Sequence, residues 1–456
     1  MTTTNKNIYQ IFHLGGEKTV TGSCHILSIK KGPNIMIDCG LFQGNDQAIP
    51  FEKSQIKVKD IDFLFITHAH LDHIGRIPEL IEKGFKGEII CTHPTKKIMI
   101  PMLKDAMGFS EKTSNQISKL EQTINDISWG FEYNEYFSLK NGVKFKLSNA
   151  GHILGSCFIK FEIPHTKNKK ISIIFSGDLG NKHTPLLPDP DTPDNCDLLI
   201  LESTYGNRVH EQREQRIENL GQILTKALKD KGKVFVPAFS LGRTQEFIYE
   251  LDRLFSDKTL QDKFPELTQK IPVFIDSPLG LEITKIYSSL NEFFDKEAKN
   301  LLNSGDNPLD FKGLYCVENY ESHKKLTMIK GPAIIIAGSG MCNGGRILNH
   351  LEFNLDKKEN DIFFIGYQAQ GTKGSDIVKY SKRSNGYVKI NNEKIYIKAK
   401  VHNLSGYSAH ADKNFLVEWV KSMEQKPKAV KVVHGDNSAR KELSNTFKKI
   451  GYQIIN

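Results

Sequence analysis

At 456 residues the chain is long for a single core, so two domains are expected, and 39% hydrophobic with 25% charged residues is an ordinary globular composition needing no covalent staples. No apolar run approaches the roughly 18 residues of a membrane span, and Met1–Asn7 carries no charged-then-apolar secretory pattern, so membrane and secretory roles are not expected. Seven scattered cysteines without a Cys-x-x-Cys pair fit a reducing cytoplasm and argue against a thiolate zinc site, while a net charge of +9 leans towards a polyanionic partner.

The opening reads as short strands over 8–12, 21–29 and 34–38, and the last delivers Asp38 with Gly40 close behind. A lone Asp there also suits an Asx turn. The next buried strand, 61–66, runs into Thr67-His68-Ala69-His70-Leu71-Asp72-His73, where three imidazoles and a carboxylate fall within six positions. A helix over 76–83, a strand over 87–91, helical spacing through 96–126 and a strand at 143–147 follow. His152 then stands between Gly151 and Gly155 ahead of a strand at 157–162. Strands at 171–175 and 197–201 end in Asp178 and Glu202. The loops that carry these residues therefore belong on one edge of a sandwich.

From about 207 the pattern alternates. Helices over 213–229, from about 242, over 281–302 and over 344–355 are interleaved with strands at 233–237, 272–276, 333–337 and 361–366, which predicts a parallel α/β domain. Strands at 387–390, 394–400 and 430–434 and a helix over 436–450 close the chain. Lysine-rich runs at 166–170, 379–383 and 394–400 carry much of the positive charge.

Imidazole and carboxylate are the ligand types that zinc prefers. His68, His70 and His152 make a three-imidazole set, Asp72 and His73 begin a second, and Asp178 is the natural bridge. Two ions roughly 3.5–4 Å apart can lower the pKa of a shared water and clamp the oxygens of a phosphodiester. Metal-assisted hydrolysis is the chemistry implied.

Asp38, the His-x-His-x-Asp-His stretch, His152 and Asp178 resemble, in order and context, the motifs of the metallo-β-lactamase superfamily. Glu202-Ser203-Thr204-Tyr205-Gly206, 237–245, Ser339-Gly340-Met341, 366–372, Ser408-Ala409-His410-Ala411-Asp412 and Val433-His434-Gly435 narrow the resemblance to the β-CASP nucleases related to the mRNA 3′-end endonuclease. The resemblance covers almost the whole chain. It implies an αββα hydrolase domain of 1–206 and 386–456, a parallel α/β β-CASP domain inserted over 207–385, and RNA entering between them.

The resemblance also implies roles. His434 would complete the second zinc site, and His410, held by Glu202, would be a general acid over the scissile phosphate. Histidine rather than valine at 434 favours RNA over DNA as substrate. Gly338–Arg346 lies between a strand and a helix, where backbone N–H groups suit a phosphate, so Ser339, Gly340 and Arg346, with Ser240 and Arg243, are candidate RNA contacts. Gly435-Asp436 and Lys373-Gly374-Ser375 depart from the family pattern without touching a ligand. His350 and His402 match no motif and read as structural, and His13, His25, His93, His165, His183, His210 and His323 carry no assignment.

The expectation is a cytoplasmic ribonuclease with two Zn²⁺ per chain, acting as an endonuclease on single-stranded RNA, with a homodimer open as its assembly. A 5′ exoribonuclease and a hydrolase of small esters or thioesters are the alternatives. Intact ligands at every position speak against a non-catalytic scaffold subunit. Neither an N-terminal KH-like extension nor a long tail is expected.

Overall fold

The computed structural model describes residues 3–5, 8–166, 169–210 and 215–455. The start of the expected helix at 213 and part of the 166–170 run lie outside the described residues. The chain divides into two compact units, one of 1–184, 188–209 and 410–456, the other of 185–187 and 210–409.

In the first unit, two seven-stranded sheets face each other among the described residues. One runs from Thr3–Asn5 through Tyr9–Gly15, Cys24–Ile29, Asn34–Ile37, Phe63–Phe65 and Glu88–Thr92 to Ser128–Phe131. The other runs from Ile454–Ile455 through Ala429–Val432, Leu198–Leu201, Lys169–Phe175, Cys157–Thr166 and Lys144–Asn149 to Tyr136–Ser138. Alternation along the strands turns Ile11, Leu27, Ile35 and Phe65 of one sheet and Phe145, Phe161 and Phe175 of the other into one core. Phe65 meets Phe145 and Phe161 edge to face with ring centroids 4.9 Å apart. Burial of each such ring stabilises the sandwich by ~1.5–3 kcal/mol and anchors the strand that leads to Thr67.

Helices cover both outer faces. Phe415, Leu416, Trp419, Leu443 and Phe447 of Lys413–Lys421 and Asn437–Lys449 pack on Ile174, Leu199 and Val430. On the other side Ile98, Met99 and Leu103 of His93–Gly108 are buried. This is the αββα arrangement expected from the sequence.

The second unit holds a parallel six-stranded sheet in the order Leu314–Cys316, Val273–Asp276, Ala333–Ala337, Lys233–Pro237, Asp361–Phe364, Lys400–Asn403. Residues 386–409, assigned by sequence to the hydrolase domain, pack here, because Lys400–Asn403 pairs in parallel with Asp361–Phe364. The helical spacing over 281–302 resolves into Pro278–Ser288 and Lys296–Asn303, the second capped by Asp295, whose side chain accepts from the Ala298 N–H. The run 394–400 likewise splits: Glu393–Tyr396 pairs with Tyr387–Ile390, and Lys400 begins another strand.

Candidate metal centre

One edge of the first unit gathers the chemistry. Asn34–Ile37, Phe63–Phe65, Lys169–Phe175, Leu198–Leu201 and Ala429–Val432 all run in parallel to a neighbour within their own sheet, and their C-terminal ends release Asp38, the 67–73 loop, Asp178, Glu202 and His434. Lys144–Asn149 is antiparallel to Cys157–Thr166, itself antiparallel to Lys169–Phe175, so His152 leaves at the same edge. Two of these residues carry left-handed backbone that side chains seldom adopt, Asp38 at φ 59° and His434 at φ 49°. Backbone hydrogen bonds hold them there, from the Asp38 N–H to Phe65 O and from the His434 N–H to Gly16 O.

The ring nitrogens converge in two groups. His68 Nε2 and His152 Nε2 each lie 3.1 Å from His70 Nδ1. His73 Nε2 lies 3.0 Å from His434 Nε2, and Asp72 Oδ2 is 3.8 Å from both. Asp178 faces both groups: Oδ2 is 3.7 Å from His68 and His152 and 3.3 Å from His73, while Oδ1 is 3.4 Å from His434.

A divalent cation fits this donor set. Three imidazole nitrogens pointing at one another cannot all be satisfied by protons, whereas ligands of a tetrahedral zinc stand ~3.3 Å apart for bonds of about 2.0 Å. Buried Asp178 Oδ1 accepts no hydrogen bond among the described residues. Burial holds His68 well below the ordinary imidazole range and His70 down to about 4, so both present lone pairs. Burial works against the Asp178 carboxylate too, but the imidazoles of His434 and His73 hold its pKa well below the usual range.

A second layer aims the rings. Asp38 Oδ2 takes His73 Nδ1 at 2.7 Å, and Asp38 also accepts the Thr67 N–H and hydroxyl. Thr67 Oγ1 lies 3.1 Å from His68 Nδ1, and Thr204 Oγ1 3.3 Å from His434 Nδ1. Asp38 thus stands behind a ligand-type ring rather than among the converging atoms. Thr67 and Thr204 were not singled out from sequence; their adjacency to His68 and Glu202 was the signal available.

His410 closes the edge. Its Nδ1 is 3.4 Å from Glu202 Oε1 and 3.8 Å from Asp178 Oδ2. Burial lowers its pKa, but the Glu202 charge and hydrogen bond outweigh that and raise it. Glu202 is itself fixed by the N–H groups of Leu179 and Thr204.

The remaining candidates lie in the second unit, at the C-terminal ends of its central strands. The helix after Lys233–Pro237, Arg243–Ser256, packs on one face of the sheet, and the helix after Ala333–Ala337, Arg346–Asn354, on the other, a topological switch point where parallel sheets bind ligands. Ser240 Oγ lies 3.2 Å from Ser277 Oγ, and the missing Cβ of Gly338 would stand 3.3 Å from Ser277 Oγ. Ser339 Oγ accepts the Asn343 N–H, and a side chain at Gly340 would strike the Phe239 ring. The two arginines are committed elsewhere. Buried Arg243 donates to Tyr407 O and the Glu246 carboxylate, and Arg346 to Asp276 Oδ1 and Val317 O.

Asp276, His323 and His350 form a further buried cluster, with Asp276 Oδ2 at 2.6 Å from His323 Nδ1 and 2.7 Å from His350 Nε2. Here two ring nitrogens meet one carboxylate oxygen at hydrogen-bond distance, so N–H donors can serve it, while buried His350 Nδ1 has no hydrogen-bond partner among the described residues. His402 likewise bonds Asp361 at 2.6 Å.

Three family descriptions match the chain: the metallo-beta-lactamase superfamily over residues 19–205, the Beta-Casp domain over 244–377, and a Zn-dependent metallo-hydrolase RNA specificity domain over 394–456. The ribonuclease TTHA0252 of Thermus thermophilus is 33% identical over 98% of this chain and 97% of its own length. The transcription termination factor FttA of Methanosarcina mazei is 30% identical over 96% of the chain and 68% of its length. The endoribonuclease YSH1 of Candida glabrata is 30% identical over 94% and 55%.

Proposed function

The chain belongs to the β-CASP group of the metallo-β-lactamase superfamily, and we propose that it is a two-zinc ribonuclease that cuts within single-stranded RNA. The observation that carries this reading is the Asp178 carboxylate facing two separate groups of metal-type ligands. His68, His70 and His152 would hold one ion, Asp72, His73 and His434 the other, and Asp178 both. When bound, the pair would supply an activated water and a positive clamp on the phosphate.

The protein's own groups then do the positioning. Asp38, Thr67 and Thr204 keep the ligand rings aimed. His410, kept protonated by Glu202, donates its proton to the leaving 3′ oxygen, a contribution of ~10²–10⁴-fold. Ser240, Ser339 and Gly340 offer hydroxyls and backbone to RNA phosphates at the switch point, and Arg243 and Arg346 hold the shape of those loops. No described helix is long and apolar enough to cross a membrane. Six of the seven free cysteines are buried, which suits a cytoplasmic setting.

The names of the relatives support RNA as substrate, and that of YSH1 supports internal cleavage. The test is circular single-stranded RNA beside linear 5′-phosphorylated RNA and single-stranded DNA, with zinc and with chelator. Zinc-dependent cutting of the circle is expected. Attack on linear RNA alone would make the enzyme a 5′ exonuclease, and attack on neither RNA would defeat the nuclease reading.

A further inference from the structure

Residues 379–400 hold seven lysines and arginines against one acid, Glu393, within a chain whose whole net charge is +9. Lys400 is engaged with Asp230 and Asp361, but Lys379, Lys382, Arg383, Lys389, Lys394 and Lys398 are exposed and form no ion pair among the described residues. The stretch is folded: Tyr387–Ile390 and Glu393–Tyr396 make an antiparallel hairpin whose Val388 and Ile390 are buried in the core beside Ala399.

Alternation therefore fixes what the other face presents. Tyr387 stands directly opposite Tyr396, and Lys389 directly opposite Lys394. The tyrosines are 43% and 41% exposed, and the Lys394 ammonium sits 4.2 Å and 4.8 Å from their ring centroids. The register thus sets two lysines and two exposed rings on one face, positive charge and aromatic surface that an anion lying along the hairpin would meet together.

We propose that this face of the hairpin, Tyr387, Lys389, Lys394 and Tyr396, is a binding surface for single-stranded RNA, its lysines taking phosphates and its tyrosines stacking bases; this rests on the proposed RNA substrate. Lysines set beside exposed aromatic rings are the pairing that grips single strands without reading sequence. The face has no aliphatic or tryptophan side chain to insert into a lipid surface, so an anionic membrane fits it less well. Lys379 and Arg383 lie over Tyr380 on the preceding segment and extend the same chemistry.

The test uses the full chain in chelator, so that nothing is cut, and fluorescence anisotropy of a labelled oligoribonucleotide across a salt series. Lys389→Ala/Lys394→Ala should weaken binding roughly tenfold and lower the slope of log affinity against log salt by about 1.4, two phosphate contacts' worth on a single strand. Tyr387→Ala/Tyr396→Ala should weaken it by about tenfold or more with the slope unchanged. Lys226→Ala/Lys229→Ala, the same charge change elsewhere on the unit, should leave affinity and slope near wild type. Lys389→Glu, which puts a negative charge on the face, should weaken RNA binding more than Lys389→Ala does. Wild-type binding with hairpin variants indistinguishable from it would overturn the surface and leave the ribonuclease reading standing; no RNA binding by wild type would overturn both. Loss of binding to phosphatidylserine vesicles without loss of RNA binding would assign the face to a membrane and overturn the proposal.

Discussion

Asp38 Oδ2 lies 2.7 Å from Nδ1 of His73, whose other nitrogen, Nε2, faces Asp178 and His434. A carboxylate behind a metal-type imidazole fixes which nitrogen carries the proton and leaves the other as a lone pair. Asp38→Asn keeps the size and removes the charge, and is expected to weaken metal affinity ~10–100-fold. Competition with a graded series of chelators measures it; wild-type affinity in the variant would mean that Asp38 does not orient the ring.

His410, the proposed general acid, lies beside Glu202 and Asp178. His410→Ala should therefore slow RNA cleavage by ~10²–10⁴-fold while elemental analysis finds as much metal as in wild type. Slow cleavage together with lost metal would reassign His410 to the metal set.

Arg243 and Glu246 are both buried and pair on one helix, and Arg243 also donates to the Tyr407 carbonyl. Arg243→Ala would remove the guanidinium that these two buried acceptors share, a loss of about 3–5 kcal/mol for a broken buried pair. Denaturant titration should show the midpoint falling. An unchanged midpoint with weakened RNA binding would instead make Arg243 a free RNA contact.

Much of the first unit was legible because the ligand-type residues lie in the loops and the short helix just beyond strand ends, and a strand end is where a short loop can hold a side chain at a sheet edge. Only tertiary contact pairs His73 with His434, 361 positions apart, and there the family resemblance, not spacing, supplied the partner. The pairing of Arg243 with Glu246 was not legible, since an i,i+3 ion pair looks the same whether buried or on a wet surface. The break in the 281–302 helix hid behind apolar spacing that continues on both sides of it, although Asp295 as the cap was a readable stop. Leu314–Cys316 escaped notice because a three-residue edge strand with exposed Tyr315 and Cys316 shows no pattern.

Burial, then the charges of Asp306 and Asp310, push the Asp252 carboxyl up to about 7. An unfolded aspartate titrates near ~4, so between about pH 4 and 7 the native protein binds the extra proton, and this group's contribution to stability falls as pH rises through that window. Asp252→Asn should raise stability at pH 8 by ~1–2 kcal/mol, allowing for solvent screening, and add little at pH 4. Denaturation curves at the two pH values decide it; a gain equal at both would point to a cause other than titration.

The most direct test of a carboxylate shared between two ions is to strip the protein with chelator and add zinc back in measured equivalents while following cleavage of a labelled RNA. Activity should stay low through the first equivalent and rise with the second, and Asp178→Ala should stay inactive at every ratio. Full activity at one equivalent, or RNA cleavage by Asp178→Ala, would contradict the two-ion site.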